Sequence, residues 1–134
     1  YILATRLIPC FSVIVRVALE RGLGGLAVTD HNTVEGGLAV KALAPSDLTV
    51  IVGEKIATRH GEIIGLFLRE TVPAGLTVRG TVAAIREQWG VVVIPHPCDR
   101  IRRSGLRAPA LREALELADA VEVFNSRTVV RRYN

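Results

Sequence analysis

The sequence contains no methionine, only two cysteines and few aromatic residues. Aromatic residues make up 4% of the 134 residues, so leucine, valine, isoleucine and alanine must fill the core, which favours strands covered by helices over a β-sandwich. Cys10 and Cys98 are too few for a disulfide framework or a zinc knuckle, and nothing resembles a signal peptide. We therefore expect a reducing, cytoplasmic setting.

Long hydrophobic runs are also missing. Arg, Glu or Gly interrupts each apolar run before it reaches the roughly 18 residues of a membrane span, so we expect no membrane partner. Hydrophobic residues at 49% against 22% charged residues indicate a folded domain, and no linker or repeat divides it. We predict a single domain over residues 1–134. We expect it to be incomplete, because residues 1–11 show no clear hydrophobic period and residues 126–134 follow a strand without completing a covering helix.

The net charge of +4 comes almost entirely from arginine. Two groups of arginines stand out in the sequence: Arg100, Arg102, Arg103 and Arg107, then Arg127, Arg131 and Arg132. They favour an anionic partner, and a small phosphorylated ligand is the simplest one. A nucleic acid is the weaker alternative, because the chain lacks the interleaved aromatic residues on which single-strand binders stack bases.

Helix-like and strand-like segments alternate along the chain. Four helices are predicted. The first covers residues 12–21, the second begins after Asn32 as its cap and ends before Pro45, the third covers residues 77–90, and the fourth follows Pro109. The predicted strands cover residues 26–29, 49–52, 63–68, 91–94 and 120–124. This alternation predicts an α/β fold with a mainly parallel sheet, either open or closed into a barrel.

Polar side chains directly follow several of these predicted strands. Asp30 and His31 follow the first strand, Glu54 the second, His96 a later one and Asn125 the last. The carboxyl ends of parallel strands meet at one edge, so we expect these groups to converge there. Imidazole and carboxylate are ligands of zinc, manganese and iron, which predicts a divalent metal site; otherwise each residue is an ordinary cap or turn residue.

Three segments in this order, Thr29-Asp30-His31, Gly53-Glu54 and His96-Pro97, resemble the PHP family, named for polymerase and histidinol phosphatase domains. Members carry a Gly-x-Glu or Gly-Glu segment after the third strand. The resemblance spans nearly all of residues 11–134. It implies part of a distorted (β/α)7 TIM-like barrel, with a cluster of divalent ions (Zn, Mn or Fe) at the carboxyl rim, that hydrolyses phosphoesters.

The resemblance also implies roles for single residues. His31 becomes a ligand of one ion, Glu54 a carboxylate that bridges two ions, and His96 a ligand in that pair. Family members often carry a further His at the position of Glu62, which we include as a ligand. His60, two residues earlier, is expected to be an exposed loop residue.

Other candidates surround these ligands. Asp30 and Glu54 are the candidate catalytic residues. Asp30 is adjacent to His31 in the sequence and is able to orient a ligand or a water molecule there. Arg100 and Arg103 are placed to clamp a phosphate oxygen, although a solvated basic loop is an equal alternative. Asn125 is a candidate substrate-binding residue, and Glu122, a charge within an apolar strand, needs a partner nearby.

The sequence departs from the family pattern at both ends. No histidine precedes His31 or follows His96, so the family's opening His-x-His and closing Asp-x-His have no counterpart. We expect a metal-dependent phosphoesterase that acts on a nucleotide or a small phosphorylated metabolite. The alternatives are a non-catalytic PHP-like remnant with a structural or regulatory role, and a nucleic-acid-binding module.

Overall fold

A computed structural model describes residues 2–3, 9–99 and 103–125, with the backbone alone for residues 2, 3, 9 and 10. Strands and helices alternate over these residues. They are β1 (Ile2–Leu3), α1 (Pro9–Glu20), β2 (Gly25–His31), α2 (Glu35–Leu43), β3 (Thr49–Thr58), β4 (Gly61–Leu66), α3 (Val78–Glu87), β5 (Val91–Ile94), α4 (Ala110–Leu117) and β6 (Ala120–Val121). Every predicted helix and strand has a counterpart, whereas β1 is an element that the sequence pattern did not predict.

The strands form a single sheet in chain order from β1 to β6. β1, β2 and β3 pair in parallel, β4 is antiparallel to both β3 and β5, and β6 is parallel to β5. The prediction of an α/β fold with a mainly parallel sheet is therefore confirmed. Over the described residues the sheet is open, with β1 and β6 at its edges, so a closed barrel is not shown.

The reversed strand β4 begins at a tight turn after β3. The Thr58 hydroxyl donates to the Gly61 carbonyl (2.7 Å) and accepts from the His60 N–H (3.1 Å), and Gly61 has a φ of +140°, which favours glycine. Because β4 runs backwards, its first residues lie beside the carboxyl end of β3. The turn thus brings Glu62 to the rim at which the parallel strands end.

All four helices pack on one face of the sheet, which we call the helix face. Strand side chains alternate between the two faces, and the buried clusters combine helix residues with one of the two alternating sets. The strand residues of these clusters are Leu26, Val28, Val50, Val52, Ile56, Ile63, Val92 and Ile94. Fully burying such a side chain stabilises the fold by about 1.5–3 kcal/mol, so this face holds the core.

The other face, which we call the open face, carries the alternate strand residues. In register across β2, β3 and β4 these are Ala27, Thr29, His31, Ile51, Gly53, Lys55, Ala57, Glu62 and Ile64. Ile64 is only 2% exposed yet belongs to neither core cluster. The open face therefore differs from the helix face in having no described helix packed upon it.

The starts of two helices test the sequence prediction. Thr77, predicted as the first residue of its helix, is the N-cap of α3, because its side chain accepts from the Gly80 N–H. Asn32 does not cap α2, whose N-cap is Val34 without a side-chain bond. Asn32 instead adopts a left-handed φ of 55°, and its Oδ1 accepts from the Ala57 N–H (2.8 Å). Its amide ties the turn after β2 to β3, which helps to fix the rim.

The helices are also short. Within the described part of the chain, none combines the length and the apolar character needed to cross a lipid bilayer.

Candidate functional site

Glu62 lies between two histidines at the carboxyl rim of the sheet. Its Oε1 is 3.4 Å from His31 Nδ1 and its Oε2 is 3.4 Å from His96 Nε2. The His31 side chain is 54% exposed, whereas those of Glu62 and His96 are 10% and 0% exposed. With Lys55, which stands in register beside His31 on the open face, these residues form what we call the rim cluster.

Each member of the rim cluster comes from a different part of the sheet. His31 ends β2, Lys55 lies on β3, Glu62 is near the start of β4, and His96 follows the end of β5. The sequence separates these residues widely, and the strand order β2-β3-β4-β5 makes them neighbours. This convergence at the ends of strands is where α/β proteins carry their sites.

The turn at His96 is held by Glu122, which in turn bonds Asn125, the last residue that the structure describes. Oε2 of Glu122 accepts from the His96 backbone N–H (2.7 Å) and from Asn125 Nδ2 (3.0 Å). His96 itself has a positive φ of 37°, a conformation that non-glycine residues adopt only when the surroundings require it. Glu122 follows β6 rather than lying within it, as the predicted strand 120–124 had it, and its partners are the His96 N–H and Asn125. Asn125 makes no described bond to the His96 imidazole.

The His96 ring is a buried polar group with unused bonding capacity. Among the described residues neither of its nitrogens has a hydrogen-bond partner, and 3.4 Å to Glu62 is longer than an ordinary N–H···O bond. Two donor atoms bound at 2.0–2.1 Å to one tetrahedral ion lie about 3.3–3.4 Å apart. The spacing on each side of Glu62 is therefore that of two ligands of a shared ion.

The charge state of Glu62 also suits a ligand. Burial raises the pKa of its carboxyl, but contacts with His96 and Ser104 and the nearby charges of Lys55 and His31 outweigh burial and bring the pKa below its usual value. The Glu62 backbone N–H also donates to the Ser104 carbonyl (2.9 Å), which holds the strand start in place. Glu62 is consequently anionic near neutral pH, the form that binds cations.

The number of donors is the weak point of a metal site here. Residues 9–99 and 103–125 contain no group of three or more His, Cys, Asp or Glu side chains arranged to hold one ion. Each oxygen of Glu62 faces one imidazole, so each position has two protein donors where a structural zinc ion takes four. The donor types fit zinc, manganese or iron, but the described residues supply only part of a coordination shell.

The structure does not bring Glu54 or Asp30 into the rim cluster. The two residues are in register with each other, one position out of phase with His31 and Lys55, so their side chains lie on the helix face. A Cβ added at Gly36 of α2 would overlap the Asp30 carboxylate, which places that carboxylate against the start of α2. The predicted bridge by Glu54 and the predicted catalytic place of Asp30 beside His31 therefore do not form.

Glu54 instead occupies the protein interior. It is 0% exposed, its Oε2 accepts from the Val72 N–H (2.8 Å), and its Oε1 has no hydrogen-bond partner among the described residues. Burial raises the pKa of Glu54, and the bond from Val72 lowers it by a smaller amount. The parity of the strand explains this position, because Val52 and Ile56, two residues to either side, also point into the core.

The remaining candidates are exposed or lie outside the described residues. Arg103 is exposed, as is His60, which agrees with the expectation of an ordinary loop residue for His60. Arg100 lies outside the described residues. Arg107 is exposed, and its Nη1 donates to the Asp99 carbonyl (3.2 Å). The phosphate clamp by Arg100 and Arg103 stays a prediction.

Sequence reasoning missed Lys55 and Ser104. A strand period of two, applied from the buried Val52 through Ile56, would have placed Glu54 inside and Lys55 on the opposite face, next to His31. Ser104 carried no such signal, because it belongs to a loop that reaches Glu62 only through tertiary contacts.

Comparison with known proteins supports the class of fold. A crystal structure from Bifidobacterium adolescentis, described as a proposed metal-dependent phosphoesterase, superposes with a TM-score of 0.60 over 92% of this chain and 73% of that chain, at 15% sequence identity. That likeness shows a shared α/β fold. No family model matches the chain.

Two archaeal proteins are similar in sequence. The uncharacterized protein MJ1587 of Methanocaldococcus jannaschii is 42% identical over 117 residues, which cover 84% of this chain and 64% of that protein. The uncharacterized protein MJ0417 of the same organism is 46% identical over 80 residues, which cover 58% of this chain and 34% of that protein. The chain thus spans less than two thirds of the length of either relative.

Proposed function

We propose that this chain is part of a PHP-like, metal-dependent phosphoesterase and that His31, Glu62 and His96 are the metal ligands that it contributes. The observation that carries the proposal is the Glu62 carboxylate held 3.4 Å from each of two imidazoles, one of them fully buried. The description of the structural neighbour as a proposed metal-dependent phosphoesterase agrees with it.

We further propose that the open sheet is part of a (β/α)7 barrel. Helices cover both faces of a doubly wound sheet, whereas in a barrel they cover the outside alone. Here the four described helices share one face, and the strands follow one another in chain order. The open face with the rim cluster would then line the barrel mouth.

The chemistry follows from the residues of the rim. Divalent ions (Zn, Mn or Fe) bound there would supply an activated water for attack on phosphorus and would neutralise the phosphate. Glu62 provides the anionic ligand, and Glu122 with Asn125 fixes the turn that presents His96. Arg103, and Arg100 beyond the described residues, are proposed to bind a phosphate oxygen of a nucleotide or small phosphorylated metabolite.

Metal binding by purified protein tests this proposal. We expect the chain, stripped with a chelator and dialysed against Mn²⁺ or Zn²⁺, to bind the metal. His96→Ala and Glu62→Gln should each weaken binding by at least the roughly 10–100-fold that loss of a ligand's supporting partner causes. Hydrolysis of a chromogenic phosphoester such as p-nitrophenyl phosphate should require the added metal and fall in the same variants.

His60→Ala is the matched control, because it removes an exposed histidine close in sequence to Glu62. It should leave metal affinity and hydrolysis unchanged. Equal losses in His60→Ala and His96→Ala would indicate non-specific binding to histidine and would count against the proposed site.

A second candidate function is a non-catalytic remnant with a structural or regulatory role. It is favoured by the lack of a group of three ligands within the part of the chain that the structure describes. A remnant would bind neither metal at micromolar concentration and would hydrolyse no phosphoester, yet would fold normally by circular dichroism.

A further inference from the structure

Lys55 is the one member of the rim cluster that cannot be a metal ligand while its side chain is protonated. Its Cα pairs with that of His31 on β2 and with that of Ile64 on β4, so its side chain leaves the sheet on the same face as His31. Its positive charge helps to lower the pKa of the Glu62 carboxyl, so the two charged groups are close enough to interact. A positive charge is therefore built into the rim beside the carboxylate that lies between the two histidines.

The two sides of Glu62 are unequal as a result. On one side, Oε1 faces His31, the register neighbour of Lys55; on the other, Oε2 faces the buried His96. Neighbouring strands lie about 5 Å apart, so a lysine beside His31 is close enough to repel a divalent ion there strongly. The His96 side is reached from β5, two strands away from Lys55.

We propose that Lys55 replaces a metal ion on the His31 side of Glu62, so that the wild-type rim holds one divalent ion, on the His96 side. This inference rests on the proposed function and narrows it: Glu62 and His96 hold the bound ion, and His31 becomes a ligand only when the lysine is removed. Glu54 does not compensate for the lysine, because its carboxylate is buried on the helix face.

A carboxylate at position 55 should reverse this effect. Lys55→Glu would remove the charge and add a ligand in register with His31, on the same face as Glu62. His31, residue 55 and Glu62 would then supply three donors to one position, the number found at catalytic zinc sites. The variant is expected to bind a second ion, with an affinity at least about tenfold above any that the wild type shows on that side.

The experiment is equilibrium dialysis of the whole chain against Mn²⁺, with bound metal per protein measured by mass spectrometry. We compare the wild type with Lys55→Glu, with Lys55→Gln, and with Lys55→Glu combined with His31→Ala. Lys41→Glu is the matched control, because Lys41 is the other lysine of the sequence and lies exposed on α2. It makes the same change in net charge away from the rim.

The expected result is one ion in the wild type and in Lys41→Glu, two in Lys55→Glu, and one again when His31→Ala is added. Two ions in the wild type, or no gain in Lys55→Glu, would overturn the role of Lys55 while leaving the proposed metal function intact. No ion in the wild type but one in Lys55→Glu, lost with His31→Ala, would overturn the proposed ion on the His96 side and refute the proposed metal function, leaving only the exclusion of metal by Lys55.

Folding is monitored by circular dichroism, and Lys55→Gln decides the question if Lys55→Glu does not fold. The glutamine removes the charge without adding a carboxylate, so it should admit a second ion more weakly than Lys55→Glu would. A folded Lys55→Gln protein that binds no more Mn²⁺ than the wild type, at any concentration tested, would overturn the proposal.

Discussion

Replacing Glu54 by glutamine should stabilise the chain at neutral pH and leave metal binding unchanged. Glu54 is fully buried on the helix face, with one oxygen bonded to the Val72 N–H and the other without a partner among the described residues. Glutamine has the same shape and can still accept the bond from Val72. The substitution therefore removes a carboxyl whose charged form is disfavoured by burial, and it keeps the packing.

The size of the effect follows from the cost of burying an unpaired polar group, about 1–3 kcal/mol and more for a charged one. The glutamine NH₂ group would occupy the position of the oxygen that has no partner, and this would offset part of the gain in stability. We expect the free energy of unfolding at pH 7 to rise by about 1 kcal/mol. For a domain of this size the melting temperature should rise by about 3–5 °C.

The effect should depend on pH with a definite sign. Burial raises the pKa of Glu54 in the folded state above its ordinary value of 4.5. The unfolded chain releases this proton more readily, so the wild type loses stability as the pH rises from the unfolded pKa through the folded pKa. Below pH 4 the carboxyl is protonated in both states, and the advantage of the glutamine variant should vanish.

Urea denaturation at pH 7 and pH 4, followed by circular dichroism, measures these differences directly. Glu62→Gln is the comparison, because it changes the same residue type on the opposite face and should weaken metal binding. A Glu54→Gln variant that is less stable than the wild type at pH 7, or that loses Mn²⁺ binding as severely as Glu62→Gln, would refute the assignment of Glu54 to the helix face.

Two further substitutions test the packing around the sheet. Gly36→Ala should destabilise the chain by about 1–3 kcal/mol in thermal denaturation, because the new Cβ would overlap the Asp30 carboxylate; a neutral result would show that Asp30 lies elsewhere. Asp119→Asn should cost only about 0.5–1 kcal/mol at pH 7, because solvent screens the exposed carboxylate. The Val92 N–H and, to a smaller extent, Arg86 hold the pKa of Asp119 below its usual 3.8. That stability is present above the unfolded pKa and is lost as pH falls through the folded pKa, so the difference between wild type and variant should shrink below pH 4; a constant difference would contradict the linkage.

Much of the fold could be predicted from the sequence because its signals are local. The apolar period distinguishes the helix Val78–Glu87 from the strand Val91–Ile94, and Thr77 marks the start of that helix. The direction of Gly61–Leu66 could not be read in this way. An apolar run has the same composition in either direction, and only pairing with its neighbours decides which way it runs.

The sequence by itself determined the helices and every strand except β1, that the sheet is mainly parallel, and that His31 and His96 lie at the carboxyl ends of strands. The tertiary structure alone decided which carboxylate joins them. Strand side chains alternate at every residue, so a single position sends Glu54 into the core and Lys55 to the rim. The reversal at Gly61 then supplies Glu62 from the far side of a turn, a neighbour that only the pairing of β3 with β4 creates.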